Sequence, residues 1–180
     1  MRRTLFPSAI VLVGVVALVA IGAAGGAQAK KPALSATPVF KLHLKPSQEV
    51  PAVKGLKADA VGSVTFDLER SPAGAITSGE VIFYFNYSFP GSVTITGLHI
   101  HQAPKGSVAP PLVSSGVTTP FTDSDGKGNV TTTTVLTGVA SETLQAILNN
   151  PRGYYVNLHT TTPAYPDGAL RDQMHNPKKR

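Results

Sequence analysis

Two histidines separated by one residue, His99 and His101, and a third far downstream, His159, are the residues of this chain best suited to chemistry. Imidazole nitrogens are good ligands for copper and zinc, and a three-histidine set leaves one coordination position open. Residues i and i+2 of a strand point to the same face, so His99 and His101 can converge on one ion. Leu98 and Ile100 alternate with them and are expected to face a core. In the later segment, Tyr154, Val156 and Leu158 fall on one face, and Tyr155, Asn157 and His159 on the other. On this reading three imidazoles meet on the side of a sheet away from its hydrophobic core. The alternative is structural: the same rings hydrogen-bond strands to loops such as the one holding Tyr165 and Asp167.

Other candidates are weaker. His43 is read as a surface residue and His175 as part of the tail. Asp123-Ser124-Asp125-Gly126-Lys127-Gly128-Asn129 resembles part of a calcium loop but lacks the full alternating ligand set and the distal Glu. A glycine-rich hairpin turn is expected there. Glu49 is a candidate partner for Arg171 across the fold. No Ser sits in a Gly-x-Ser-x-Gly elbow, and no glycine loop is built to cradle phosphate. No catalytic residue is assigned, and enzyme activity is left open with the balance against it.

The N-terminus reads as an export signal. Arg2 and Arg3 form the positive region, an apolar run follows from about Ala9 to Ala24, and Ala27-Gln28-Ala29 offers small residues for cleavage after Ala29. An uncleaved anchor is the alternative; Pro7, the glycines at 22, 25 and 26 and the Ala-x-Ala ending disfavour it. Secretion, or residence in the periplasm or cell envelope, is therefore expected. The 180-residue chain carries a net charge of +6, and loss of Arg2 and Arg3 with the signal leaves +4. It has no cysteine. Disulfide staples, thiolate metal sites and cysteine nucleophiles are excluded, so any metal rests on His, carboxylate or carbonyl ligands. No basic face interleaved with aromatics suggests nucleic acid.

The remaining chain divides into a linker at residues 30–37, one domain at 38–174 and a basic tail at 175–180, the tail expected to be solvated and disordered. Short strands separated by turn residues dominate the domain. Val39 to Leu44 forms an apolar segment, and Val64, Phe66 and Leu68 alternate with Thr65 and Asp67. Val81 to Tyr87 suits a central strand, and the threonine run in Asn129 to Leu136 suits an exposed strand surface. One helix is predicted, with Ser141 as N-cap, Leu144, Ile147 and Leu148 at helical spacing, and Asn150-Pro151 as its end. The fold class is all-β, a Greek-key or immunoglobulin-like antiparallel sandwich with one short helix.

Four elements, in order, carry a family resemblance: Ser47-Gln48-Glu49-Val50-Pro51; His99-Ile100-His101; Gly153-Tyr154-Tyr155-Val156-Asn157-Leu158-His159-Thr160; and Tyr165-Pro166-Asp167-Gly168-Ala169-Leu170-Arg171-Asp172-Gln173. From about Phe40 to Gln173 the chain resembles the chordin-type (CHRD) domain. It departs from that pattern at Ala103, at Ser107-Val108-Ala109-Pro110 and at Asp172. The resemblance implies a β-sandwich and an extracellular binding or interaction module. Its partner, an extracellular protein or cell-surface component, is left undefined, and the resemblance implies no established activity. The order His-x-His, long excursion, then a third strand histidine is also similar to the copper ligands of copper/zinc superoxide dismutase. That second similarity implies a mononuclear copper or zinc site on His99, His101 and His159 with dismutase-like redox activity, and Arg171, which follows the third histidine, as a guide for an anion or a structural group. It lacks counterparts for a bridging histidine, a zinc-ligand cluster and a cysteine pair.

Overall fold

A computed structural model describes residues 37–179. The export signal expected over residues 1–29, and the linker as far as residue 36, lie outside the described residues. The elements run in the order β1 (Pro38–Leu44), β2 (Asp59–Arg70), β3 (Ile76–Ser88), β4 (Val93–His101), β5 (Pro111–Ser114), β6 (Phe121–Asp123), β7 (Lys127–Thr137), α1 (Ser141–Asn149), β8 (Tyr155–Thr162), β9 (Tyr165–Gln173) and β10 (Lys178–Lys179). They form two antiparallel sheets. One has the order β10-β1-β2-β3-β7; the other is β5-β4-β8-β9, with β6 also paired to β4. The all-β sandwich with one short helix is as the alternation predicts.

The inner faces supply one apolar core. Val64 and Phe66 of β2, Val81, Phe83 and Phe85 of β3, Leu98 and Ile100 of β4, and Val156 and Leu158 of β8 are fully buried. Leu144 and Ile147 of α1 join the same cluster. The sheets also meet along a seam. Lys45, just beyond β1, exchanges backbone hydrogen bonds of 3.0 and 3.2 Å with Arg171 of β9. The His43 N–H adds a bond of 2.8 Å to the Asp172 carboxylate. This seam ties β9 to the end of β1, and so holds the β5-β4-β8-β9 sheet to the first.

Three local expectations are corrected. Ser141 is not a capping acceptor: its hydroxyl donates to the carbonyls of Gly138 and Ile76, because a tight turn at Gly138–Ala140 runs straight into the helix. The Asp123–Asn129 segment is not a hairpin. β6 pairs with β4 and β7 with β3, so this turn carries the chain from one sheet to the other. The basic tail is not wholly disordered, since the backbone of β10 pairs with Pro38 and Val39 on the open edge of β1.

Phe83→Ala, in the middle of the core, is expected to lower the unfolding free energy by about 3–5 kcal/mol in urea denaturation. Thr133→Ala, on the outer face of β7, should change it by less than about 0.5 kcal/mol. Similar small losses for both would contradict a shared core.

Candidate metal centre

Strand β4 changes phase along its length. Val93 and Ile95 point into the core, but beyond them the inward residues are Leu98 and Ile100. The register against β8 slips between Thr94 and Ile95 and again between Ile95 and Gly97. A bulge of this kind turns the following residues over, and here it sends His99 and His101 to the outer face. Gly97 sits at the turnover. A Cβ there would lie 2.5 Å from Cε1 of His99, so the ring can fold over its own strand only because residue 97 has no side chain. Sequence reasoning missed Gly97. The signal was present, in the shift of the apolar positions from 93 and 95 to 98 and 100.

The three predicted histidines are brought together. Ring centroids are 4.9 Å apart for His99 and His159, 5.6 Å for His101 and His159, and 5.8 Å for His99 and His101. One ring nitrogen from each lies within 4.8 Å of the other two. Nδ1 of His101 is 2.8 Å from the Ala109 carbonyl, and Nδ1 of His159 is 2.9 Å from the Pro166 carbonyl. A carbonyl only accepts, so each Nδ1–H donates and, in the neutral ring, leaves Nε2 with its lone pair. Both Nε2 atoms, and Nδ1 of His99, are buried without a hydrogen-bond partner. Burial pushes all three rings below the usual imidazole pKa. His99 falls to about 4, with the neighbouring His159 and His101 adding to the effect. For His101 the Ala109 carbonyl opposes the shift, and for His159 the Pro166 carbonyl and Asp167 do so. All three are neutral at pH 7.

The outer face is not open to solvent, as a sheet surface away from the core would suggest. His101 is 3% exposed and Arg171 2%. The segment 102–110 covers them, held through its carbonyls. Nη1 of Arg171 donates to Ser107 at 2.8 Å, Nη2 to Pro104 at 3.4 Å, and Nε2 of Gln173 to Ala103 at 3.0 Å. The Arg171 guanidinium also sits 3.5 Å from the centre of the Tyr155 ring. That ring stacks on His101, with centroids 4.7 Å apart and planes 10° from parallel. Arg171, Tyr155 and His101 thus form a column ending at the histidine cluster. What stays open is a cleft of about 390 Å³ over the three rings, lined also by Thr96, by Ala109-Pro110-Pro111 and by Pro166-Asp167.

Arg171 does not line that cleft. The expected Glu49–Arg171 ion pair is not formed either: among the described residues the salt bridge within 4.0 Å is His43–Asp59. The guanidinium already has its donors on carbonyls and its face on Tyr155. Glu49 is nevertheless 8% exposed, and its Oε1 and Oδ1 of Asn157 are both buried without partners. The two oxygens lie 2.8 and 2.7 Å from where a Cβ on Gly168 would stand, so residue 168 must be glycine for them to approach. Asn157 in turn donates to the Asp167 carbonyl at 3.3 Å, beside the Pro166 carbonyl that orients His159. The opening motif therefore touches the histidine cluster through Asn157 and the β8–β9 turn.

Burial pushes the Glu49 carboxyl up to about 7, against the opposing charge of Arg171. In the unfolded chain this group loses its proton near 4.5. Between these values the folded protein binds the extra proton, so the stability contributed by Glu49 falls as pH rises and levels off above about 7. Glu49→Gln removes that loss. The variant's stability relative to wild type is expected to grow by about 2–3 kcal/mol between pH 4 and pH 8, in urea denaturation of metal-free protein. The histidines contribute equally to both proteins and cancel. A difference that does not change with pH would show that Glu49 ionises normally.

Among known proteins, the family model of the CHRD domain matches residues 40–174, three quarters of the chain. No curated protein and no solved structure matches it. The matched region runs from β1 to just past β9 and contains all three histidines, Glu49 and Arg171. With that match covering the sandwich and its outer-face cluster, the chain belongs to the CHRD-domain family.

Proposed function

We propose that this protein is an exported metal-binding module that holds a single copper or zinc ion on His99, His101 and His159. As a member of the CHRD family it is of the binding or interaction kind. The observation that carries the metal reading is the convergence of three imidazoles, each with one ring nitrogen within 4.8 Å of the others and each with a buried ring nitrogen that has no hydrogen-bond partner. An unpaired buried polar atom costs about 1–3 kcal/mol, and three pointing at one place call for a shared ligand. Atoms no more than 4.8 Å apart have a common point about 2.8 Å from each, so shifts of about 0.7 Å reach the 2.0–2.1 Å of a zinc–imidazole bond. The Ala109 and Pro166 carbonyls fix the tautomers of two of the ligands, the usual role of outer partners in such sites. Export rests on the N-terminal sequence, and no helix among the described residues is long and apolar enough to cross a membrane. The macromolecular partner of the module is proposed to be an extracellular or cell-surface component.

The mature protein, purified from the exported fraction without a polyhistidine tag, should contain or take up about one copper or zinc per chain. His99→Ala, His101→Ala and His159→Ala should each weaken that uptake by at least about 100-fold while the near-ultraviolet circular dichroism persists. Because burial holds the rings neutral below the ordinary value of 6.5, affinity should be flat above that pH and decline toward pH 4. Affinity unchanged in all three variants would sink the site. The histidines would then be structural, and the module would bind its partner by other means.

A further inference from the structure

Resting on the metal reading above, we infer that the open coordination position takes an uncharged nitrogen donor of the imidazole type, and that Asp167 sets this preference by holding anions off. The cleft is the approach to that position. Apart from the histidines, the one ionisable side chain lining it is Asp167. Asp167 is exposed at the rim and close enough to act on the charge of His159. Among the described residues no Lys or Arg lines the cleft. The nearby positive charge, that of Arg171, lies behind the Tyr155 ring and donates to the carbonyls of Pro104 and Ser107. A site built to receive an anion would place that charge in the opening; this fold seals it in.

The remaining walls carry no charge: Thr96 supplies a hydroxyl, and the rest is largely proline. Pro110 and Pro111 stand on one segment and Pro166 on the other, giving flat surfaces against which a planar ring can lie. At about 390 Å³ the cleft is larger than one imidazole, so it has room for a free heterocycle or for a histidine side chain of a peptide. The walls of a cleft focus the field of a charge at its mouth, so a carboxylate there acts more strongly than on an open surface. An anion entering beside Asp167 meets repulsion that offsets part of its attraction to the metal, whereas a neutral donor meets none. The side chain of Asp167 makes no hydrogen bond that the fold needs, since it is the backbone carbonyl that accepts from Asn157.

The test uses the mature protein loaded with cobalt(II), whose visible bands report the fourth ligand. Azide, imidazole and an N-acetylated glycyl-histidyl-glycine amide are titrated into wild type, Asp167→Asn and Asp167→Glu. Asp167→Asn is expected to tighten azide binding about tenfold while changing imidazole binding by less than about twofold. Asp167→Glu should keep the wild-type ratio, and imidazole should bind wild type more tightly than azide does. Binding of the peptide as well as imidazole would identify a histidine side chain as an admissible source, and binding of imidazole alone would restrict the site to small molecules; both agree with the inference. It is overturned if azide binds wild type and Asp167→Asn equally, if azide outcompetes imidazole in wild type, or if Asp167→Asn no longer holds cobalt, which would make Asp167 itself a ligand. Failure of wild type to take up cobalt, zinc or copper would instead overturn the metal reading on which the inference rests.

Discussion

The structure around the histidines depends on one buried charge. Arg171 projects from the outer face of β9, is 2% exposed, and among the described residues has no carboxylate within ion-pair distance. A guanidinium in that position is tolerable only if its donors and its flat faces are met by other groups. The segment 102–110 supplies them, through the Ser107 and Pro104 carbonyls, and Tyr155 supplies a π face. Once the segment is drawn over the sheet, the Ala109 carbonyl arrives beside His101 and sets its tautomer. The walls of the cleft follow from the same closure. Arg171 acts here as the bolt of a cover, not as a recognition group.

The molecule therefore has two buried layers of opposite character. Between the sheets lies an ordinary apolar core of Phe, Val, Leu and Ile. Outside β4, β8 and β9 lies a polar layer of His101, Asn157, His159, Arg171 and Gln173, almost as inaccessible as the core. Most of its polar atoms are satisfied by backbone carbonyls of covering loops, which is how a fold with few carboxylates buries so many donors. The atoms left over are the informative ones: three imidazole nitrogens at one place, and the oxygens of Glu49 and Asn157 at another. The first set suits a metal. The second is relieved when Glu49 keeps its proton, in line with its raised pKa.

Much of this was legible without coordinates, and the parts that were not share a cause. The faces of His99, His101 and His159 follow from strand periodicity, and their neighbours Leu98, Ile100, Val156 and Leu158 are in the core as expected. The four motifs in order identified the family, and the absence of cysteine limited the ligands to imidazole and oxygen. By contrast, the Glu49–Arg171 pair was inferred from opposite charges alone, and the guanidinium proved to be occupied by carbonyls, which leave no distinctive residue type in a sequence. The Asp123–Asn129 turn has the composition of a hairpin, yet its flanking strands belong to different sheets. Ser141 has the right type for a cap, but a preceding helical turn made it a donor.

By itself, the sequence determined what depends on near neighbours along the chain: the alternation that makes this an all-β protein, the shared face of His99 and His101, and the glycine at residue 97 that lets a ring fold back. Only the tertiary structure decided which residues are met by groups 60 or more positions away, as Arg171 is by Ser107 across a separation of 64. Those encounters bury the outer face, favour the neutral form of the histidines and enclose a cleft over them. The physical reason is that strand periodicity needs only the local backbone. Burial and pKa depend instead on which loop is brought over a side chain, and that is set by sheet pairing and by the hydrogen bonds that close the cover.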